Sequence, residues 1–125
     1  MATIKRFEDL DCWKDARVLV KLVYDFTKKG NFEKDFELKA QIRRSAISVM
    51  GNIAEGFHRK SNKEFMRFLD YSRASLAETL SHLYVALDQN YIDDSDMQNV
   101  KKQAEKVWKK INNFITYLKN HNTTG

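Results

Sequence analysis

Apolar side chains return every three or four positions along most of this chain, and the breaks in that rhythm divide it into four helical segments. In the first, Cys12, Trp13, Ala16, Leu19, Val20, Val23 and Phe26 share one face, and Lys14, Arg17, Lys21 and Asp25 the other. The pattern predicts a helix from Leu10 to Lys28, ended by the turn signal Lys29-Gly30-Asn31. A connection over Asn31 to Asp35 follows, with Phe32 folding back to plug the end of the core. The second helix takes Phe36 to Phe57, and Gly56 stands near its end, where a residue free to turn left-handed can close it.

Ser61-Asn62-Lys63-Glu64 reads as a capping box, Ser61 accepting from the Glu64 amide and Glu64 reaching back. The third helix therefore starts there and runs to Gln89, with Phe65, Phe68, Leu69, Ser72, Leu76, Thr79, Leu80, Leu83, Ala86 and Leu87 inward. Such a face is about 40 Å long at 1.5 Å per residue, and only an equally long neighbour covers it. After a turn carrying Asp93-Asp94-Ser95, the fourth helix, Asp96 to Asn120, buries Met97, Val100, Ala104, Val107, Trp108, Ile111, Phe114, Ile115 and Leu118. Four helices joined by short connections predict an all-α fold, an antiparallel up-down-up-down four-helix bundle. Residues 1–125 make a single domain with an N-terminal arm over 1–8 and a frayed tail over 121–125.

The second helix departs from the ordinary pattern. Gln41, Arg44, Ser45, Ser48, Asn52, Glu55 and Arg59 form one narrow polar stripe, while nearly everything else around the cylinder is apolar or small. This predicts a helix packed on more than one side, against its own core and against a subunit partner or ligand. Ala46, Ser48, Gly51, Ala54 and Gly56 leave room for a neighbouring backbone to come close.

Composition supports the helical reading: there is no proline, the residue that stops helices most firmly. A single cysteine, Cys12, precludes an internal disulfide and suits a reducing cytoplasm, and no apolar run reaches membrane-spanning length. The net charge of +5 makes a polyanion a plausible partner. Catalytic and cofactor signals are missing. No Glu-x-x-His motif, metal-ligand cluster or glycine-rich phosphate loop occurs, so no metal or cofactor is expected and the protein reads as non-enzymatic. Glu55 and Glu78 form a carboxylate pair only if the second and third helices meet, and a structural role, such as pairing with Arg44, suits them better.

Two basic regions remain. One is Arg59, Lys60, Lys63 and Arg67 at the junction of the second and third helices, extended by Arg43 and Arg44. The other is the lysine face of the fourth helix, which has no evident aromatic platform and reads as a solvated surface. Arg43 lies inside the apolar arc of its helix, so its guanidinium needs a partner; Arg43 and Arg44 suit either a subunit-interface ion pair or a phosphate contact.

Phe7-Glu8-Asp9-Leu10-Asp11-Cys12-Trp13, the run Gln41 to Ser48 with its Arg43-Arg44 pair, Asn52-Ile53-Ala54-Glu55-Gly56, Arg59 and Ser75-Leu76-Ala77-Glu78 together resemble the four-helix-bundle proteins encoded by intervening sequences in bacterial 23S ribosomal RNA genes. The resemblance implies a homopentameric ring, with Asn52 and Glu55 as structural polar residues of the signature and Arg43, Arg44 and Arg59 as its basic ones. A related fold occurs in accessory proteins of diversity-generating retroelements, basic barrels that engage nucleic acid and a reverse transcriptase. Two positions depart from the family pattern. Phe32-Glu33 stands where a proline is common, and Ala74 replaces a glycine, setting a methyl at an expected helix contact. The functional expectation is an oligomer that associates with structured RNA through phosphate contacts. The alternative is a scaffold whose basic face meets an acidic protein.

Overall fold

Asp11 opens α1 (Asp11–Thr27) with a negative charge at the positive end of the helix, and Thr27 ends it with its Oγ1 donating to the Val23 carbonyl at 2.9 Å. The computed structural model describes residues 4–121, so the first three residues of the expected arm and residues 122–125 of the expected tail lie outside the described range. At the end of the arm, Phe7–Asp9 form a 3-10 turn, and Phe7 packs edge-on against Trp13 at 5.2 Å.

Gly30 has φ +55°, the left-handed conformation that turns the chain out of α1. Gly30 and the four residues after it, Asn31 to Lys34, which were expected within a plain connection, form the short helix α2 (Gly30–Lys34). Phe32 on it is fully buried and stacks on Tyr91 at 5.1 Å, filling the end of the core as anticipated. Asp35 then caps α3 (Phe36–Phe57), its Oδ1 accepting from the Leu38 amide at 3.1 Å.

Ser61 caps α4 (Asn62–Asp88) through the Glu64 amide at 3.2 Å. The return half of that box does not form, because the Glu64 carboxylate turns instead to Arg67 at 3.3 Å. Asn90, at φ 60°, closes α4, and a full capping box between Asp93 and Asp96 opens α5 (Asp94–Asn120). That helix begins two residues earlier than expected, because Asp93 is the cap and Asp96 its N3 partner.

The described residues are all-helical, with no strand among them, and no helix is long and apolar enough to cross a membrane. The long helices α1, α3, α4 and α5 close a cycle, α1 touching α3 and α5, and α4 touching α3 and α5. Leu19, Phe32, Ile42, Ile53, Leu69, Leu76, Leu83 and Ile111 fill the middle and are almost wholly removed from water. Trp108, expected in that core, is 43% exposed; Val107 beside it takes the inward position, and two neighbouring residues on a helix point about 100° apart.

The polar stripe of α3 does not all face outward. Ser45 is buried and Ser48 and Asn52 are half-buried on the α4 side, whereas Gln41, Arg44 and Glu55 are exposed. α3 is thus covered on two sides, by α1 and α4, and its third side presents Phe36 (73% exposed), Ala40, Ile47 and Gly51 to solvent.

Candidate nucleic-acid interface

The seam between α3 and α4 sets the geometry of the basic residues at its end. Hydroxyls of α4 meet hydroxyls and carbonyls of α3 in steps of three and four residues. Ser72 Oγ donates to the Val49 carbonyl, Ser75 Oγ lies 2.9 Å from Ser48 Oγ, and Thr79 Oγ1 lies 2.9 Å from Ser45 Oγ. Asn52 joins the ladder by donating Nδ2 to the Ser48 carbonyl at 2.9 Å and to its hydroxyl at 3.0 Å. Each buried hydroxyl thereby has a partner, so the seam carries no uncompensated polar cost. The short side chains also let the two backbones approach closely. Repeated Ser, Thr and Asn at spacings of three and four on both helices is the signal in the sequence, Ser45-Ser48-Asn52 against Ser72-Ser75-Thr79.

Gly56 belongs to this seam rather than to a left-handed helix end. It is helical, and a Cβ there would stand 2.7 Å from the Phe68 Cβ and 2.9 Å from Phe65 Cδ1. Gly51 faces open space, with nothing within 4 Å of an added Cβ, so it provides no close approach within the chain. Ala74, likewise, is exposed rather than at a helix contact within the chain.

The α3–α4 turn presents the cations. Arg59 lies over the Phe68 ring at 4.4 Å and pairs with Glu55 at 3.3 Å; Arg67 approaches the Tyr71 ring at 5.9 Å and pairs with Glu64 at 3.3 Å. Lys60 and Lys63 between them are exposed and have no ion-pair partner among the described residues. Exposed pairs such as Arg59–Glu55 contribute about 1 kcal/mol at most, so a phosphate can displace the carboxylate with little loss. Asn62 ties the turn to the end of α5, donating Nδ2 to the His121 carbonyl at 2.8 Å and the Leu118 carbonyl at 3.3 Å. That link brings Lys119 and His121 to the same end of the molecule.

The structure does not bring Arg43 and Arg44 to this group. They precede Arg59 by some four turns, about 24 Å along the axis. Arg43 finds its partners inside the chain: Nε donates to Thr27 Oγ1 at 2.9 Å and the guanidinium lies 4.2 Å over the Tyr24 ring. The sequence pattern could not show this, because Thr27 and Tyr24 belong to α1. Arg44 is exposed, without an ion-pair partner among the described residues, on the outer side of α3.

Glu55 and Glu78 do not form a pair. Glu55 lies level with Phe68, near the Gly56 contact, while Glu78 lies level with Ser45, several turns away. Glu55 engages Arg59 rather than Arg44. Glu78 Oε2 comes 3.4 Å from His82 Nε2, but without hydrogen-bond geometry, and that nitrogen is buried with no hydrogen-bond partner. Cys12 is buried, and desolvation pushes its thiol up to about 12, which keeps it neutral and unreactive. Among the described residues, no three His, Cys, Asp or Glu side chains stand together as a metal site.

A family model described as 23S rRNA-intervening sequence protein matches residues 8–113. Among solved structures, a protein of unknown function from the S23 ribosomal protein family of Bacteroides thetaiotaomicron VPI-5482 is similar, at 21% identity and a TM-score of 0.74. The match covers 83% of this chain and 97% of that one. At that identity the likeness is one of fold. No curated protein matches the chain.

Proposed function

The chain belongs to the 23S rRNA-intervening sequence protein family, and from that premise we propose a non-enzymatic protein that holds structured RNA by its phosphates. The observation that carries this reading is the cationic turn between α3 and α4. Lys60 and Lys63 have no ion-pair partner there among the described residues, and Arg59 and Arg67 lie beside aromatic rings and make weak, exchangeable ion pairs. Four charges spread over the turn and the first turns of α4 suit a phosphate backbone, which offers repeated negative charge and little base information. An RNA stem titrated across a salt series tests it. With about four phosphate contacts, affinity should fall on the order of 100-fold between 50 and 200 mM salt. No binding at the lower salt would contradict the reading and leave the basic face to an acidic protein.

The proposed architecture is the antiparallel up-down-up-down four-helix bundle, with α2 as an insertion between its first two members. Its support is residue order across the seams. Ser45 to Val49 on α3 meet Thr79 back to Ser72 on α4, and Asp11 and Asp15 on α1 meet Lys110 and Gln103 on α5. The proposed compartment is a reducing cytoplasm, supported by a single cysteine with no second thiol in the chain.

Self-association through the outer side of α3 and α4 is part of the same proposal. Phe36 is 73% exposed there, and Ile47, Tyr71 and Val85 are each 45% exposed, next to Gly51 and Ala74. Exposed apolar side chains beside small residues on one side of two packed helices suit a contact with a second copy. The subunit count of five comes from the family resemblance. Light scattering tests the assembly, and a monomer at micromolar concentration would contradict it.

A further inference from the structure

We propose that the seam between α4 and α5 is a stacking site for unpaired bases of a nucleic-acid strand. The inference rests on the nucleic-acid reading above but engages different residues. Trp108, in the middle of α5, is 43% exposed, and Tyr84, on the adjoining edge of α4, is 45% exposed. Each has a cation at its ring. The Arg73 guanidinium lies 5.8 Å from the Trp108 centroid, and Lys101 Nζ lies 5.9 Å from that of Tyr84. Both distances are close to the outer limit of about 6 Å for a useful cation–ring contact, so the cations flank the rings without capping them.

Arg73 is fixed rather than free. Its Nη1 donates to Asn112 Oδ1 at 2.9 Å and its Nη2 to Asp70 Oδ1 at 2.7 Å, which holds the guanidinium beside the indole. From Lys101 to Lys119, α5 carries six lysines against one acid, Glu105. Lys106 and Lys110 reach Asp15 and Asp11 of α1 only at 3.7 Å, and Lys102, Lys109 and Lys119 have no ion-pair partner among the described residues. Trp108 and Tyr84 thus stand on the α4 flank of α5 with Lys101 beside them, an aromatic pair supplied partly by α4, while Lys106 and Lys110 turn the other way to α1.

Uncapped aromatic rings interleaved with cations select a polyanion that can also offer flat, exposed faces. Lys101 and Trp108 are two turns apart on one side of α5, about 10 Å. That separation is about three steps at 3.4 Å per base of a strand held in a duplex. Bases inside a duplex cannot leave the stack to meet these rings, whereas unpaired bases can be splayed onto them while lysines follow the backbone. Loops and single-stranded segments are thus the matching partner.

Tryptophan emission reads the contact directly. The chain has two tryptophans, so Trp13→Phe leaves Trp108 as the sole reporter. Titration with a short oligoadenylate RNA should quench its emission, and an equal length of blunt duplex should not. Trp108→Leu, and independently Tyr84→Leu, should weaken oligoadenylate binding on the order of ten-fold each while circular dichroism and stem binding stay unchanged. No quenching at saturating single strand, or equal quenching by the duplex, overturns the proposal. Emission that changes with protein concentration in the absence of RNA assigns the seam to a second copy and also overturns it. Quenching that survives charge reversal at Lys60 and Lys63 separates this site from the α3–α4 turn, and stem binding without quenching removes this site alone.

Discussion

A Cβ placed on Gly56 would stand 2.7 Å from the Cβ of Phe68, a separation at which α3 and α4 cannot both keep their places. Gly56→Ala should therefore destabilise the fold by about 1–3 kcal/mol through overpacking, although alanine is the better helix former. Gly51, with nothing within 4 Å, provides the control. Gly51→Ala should stabilise by about 0.5–1 kcal/mol, the ordinary helical gain. Urea denaturation of the two variants measures both, and destabilisation of equal size at the two sites would contradict the close approach.

Gly51 also separates folding from assembly. A bulky residue there meets nothing inside the chain, so Gly51→Trp should leave the subunit's helicity intact while reducing the mass seen by light scattering. An unchanged mass would move the proposed contact away from the middle of α3.

The hydroxyl ladder predicts coupling. Thr79→Val keeps the shape but removes the cross-helix partner of the buried Ser45 hydroxyl, at a cost of about 1–2 kcal/mol. Adding Ser45→Ala removes that hydroxyl, which Thr79→Val leaves with only its bond to the Ile42 carbonyl at 3.1 Å, so the double variant should lose less than the two single losses together. Chemical denaturation of the four members of the cycle checks this, with strict additivity as the contrary result.

Much of this arrangement was legible in the chain. The span Phe36 to Phe57 came out as the helical rhythm placed it, although its cap is Asp35, a residue of the expected connection, and Gly56 near its end is helical; the Ser61 cap and the Phe32 plug also stand where the sequence put them. What failed were statements about which neighbour covers which flank. Periodicity locates the centre of an apolar arc but not its width, so Trp108 and Val107 both fell inside it although only Val107 is buried. Arg43 needed a partner that only the packing of α1 supplies, in Thr27 and Tyr24. Of the basic group, the four residues contiguous with the α3–α4 turn come together because the chain itself keeps them close. Arg43 and Arg44 do not, because a helix separates residues by length as well as by angle.

Tyr91 gives the fold an alkaline edge. Its hydroxyl donates to Asp35 Oδ2 at 2.9 Å, and that hydrogen bond, followed by desolvation and the carboxylate charge, raises its pKa above the usual value. A group whose pKa is higher folded than unfolded contributes its full stability below the unfolded value and loses it as pH climbs through the folded one. Stability should thus decline above about pH 10, the ordinary tyrosine value, as Tyr91 ionises beside Asp35. Thermal melts from neutral pH to pH 11 should show a shallower decline in Tyr91→Phe, and identical slopes would contradict the linkage.

Cys12 should behave as a buried hydrophobe. With its thiol pushed up to about 12, it should resist thiol reagents at mildly alkaline pH until the protein unfolds. Labelling that proceeds at the same rate in native and denatured protein would contradict its placement.

If the cations of the α3–α4 turn contact RNA phosphates, reversing charge at Lys60 and Lys63 must show it in stem affinity measured from 50 to 200 mM salt. Each lost phosphate contact should flatten the slope of log affinity against log salt by about one, so the Lys60→Glu, Lys63→Glu protein should bind more weakly with a slope reduced by about two. An unchanged affinity and an unchanged slope in a folded variant would place the phosphate contacts elsewhere and contradict the account.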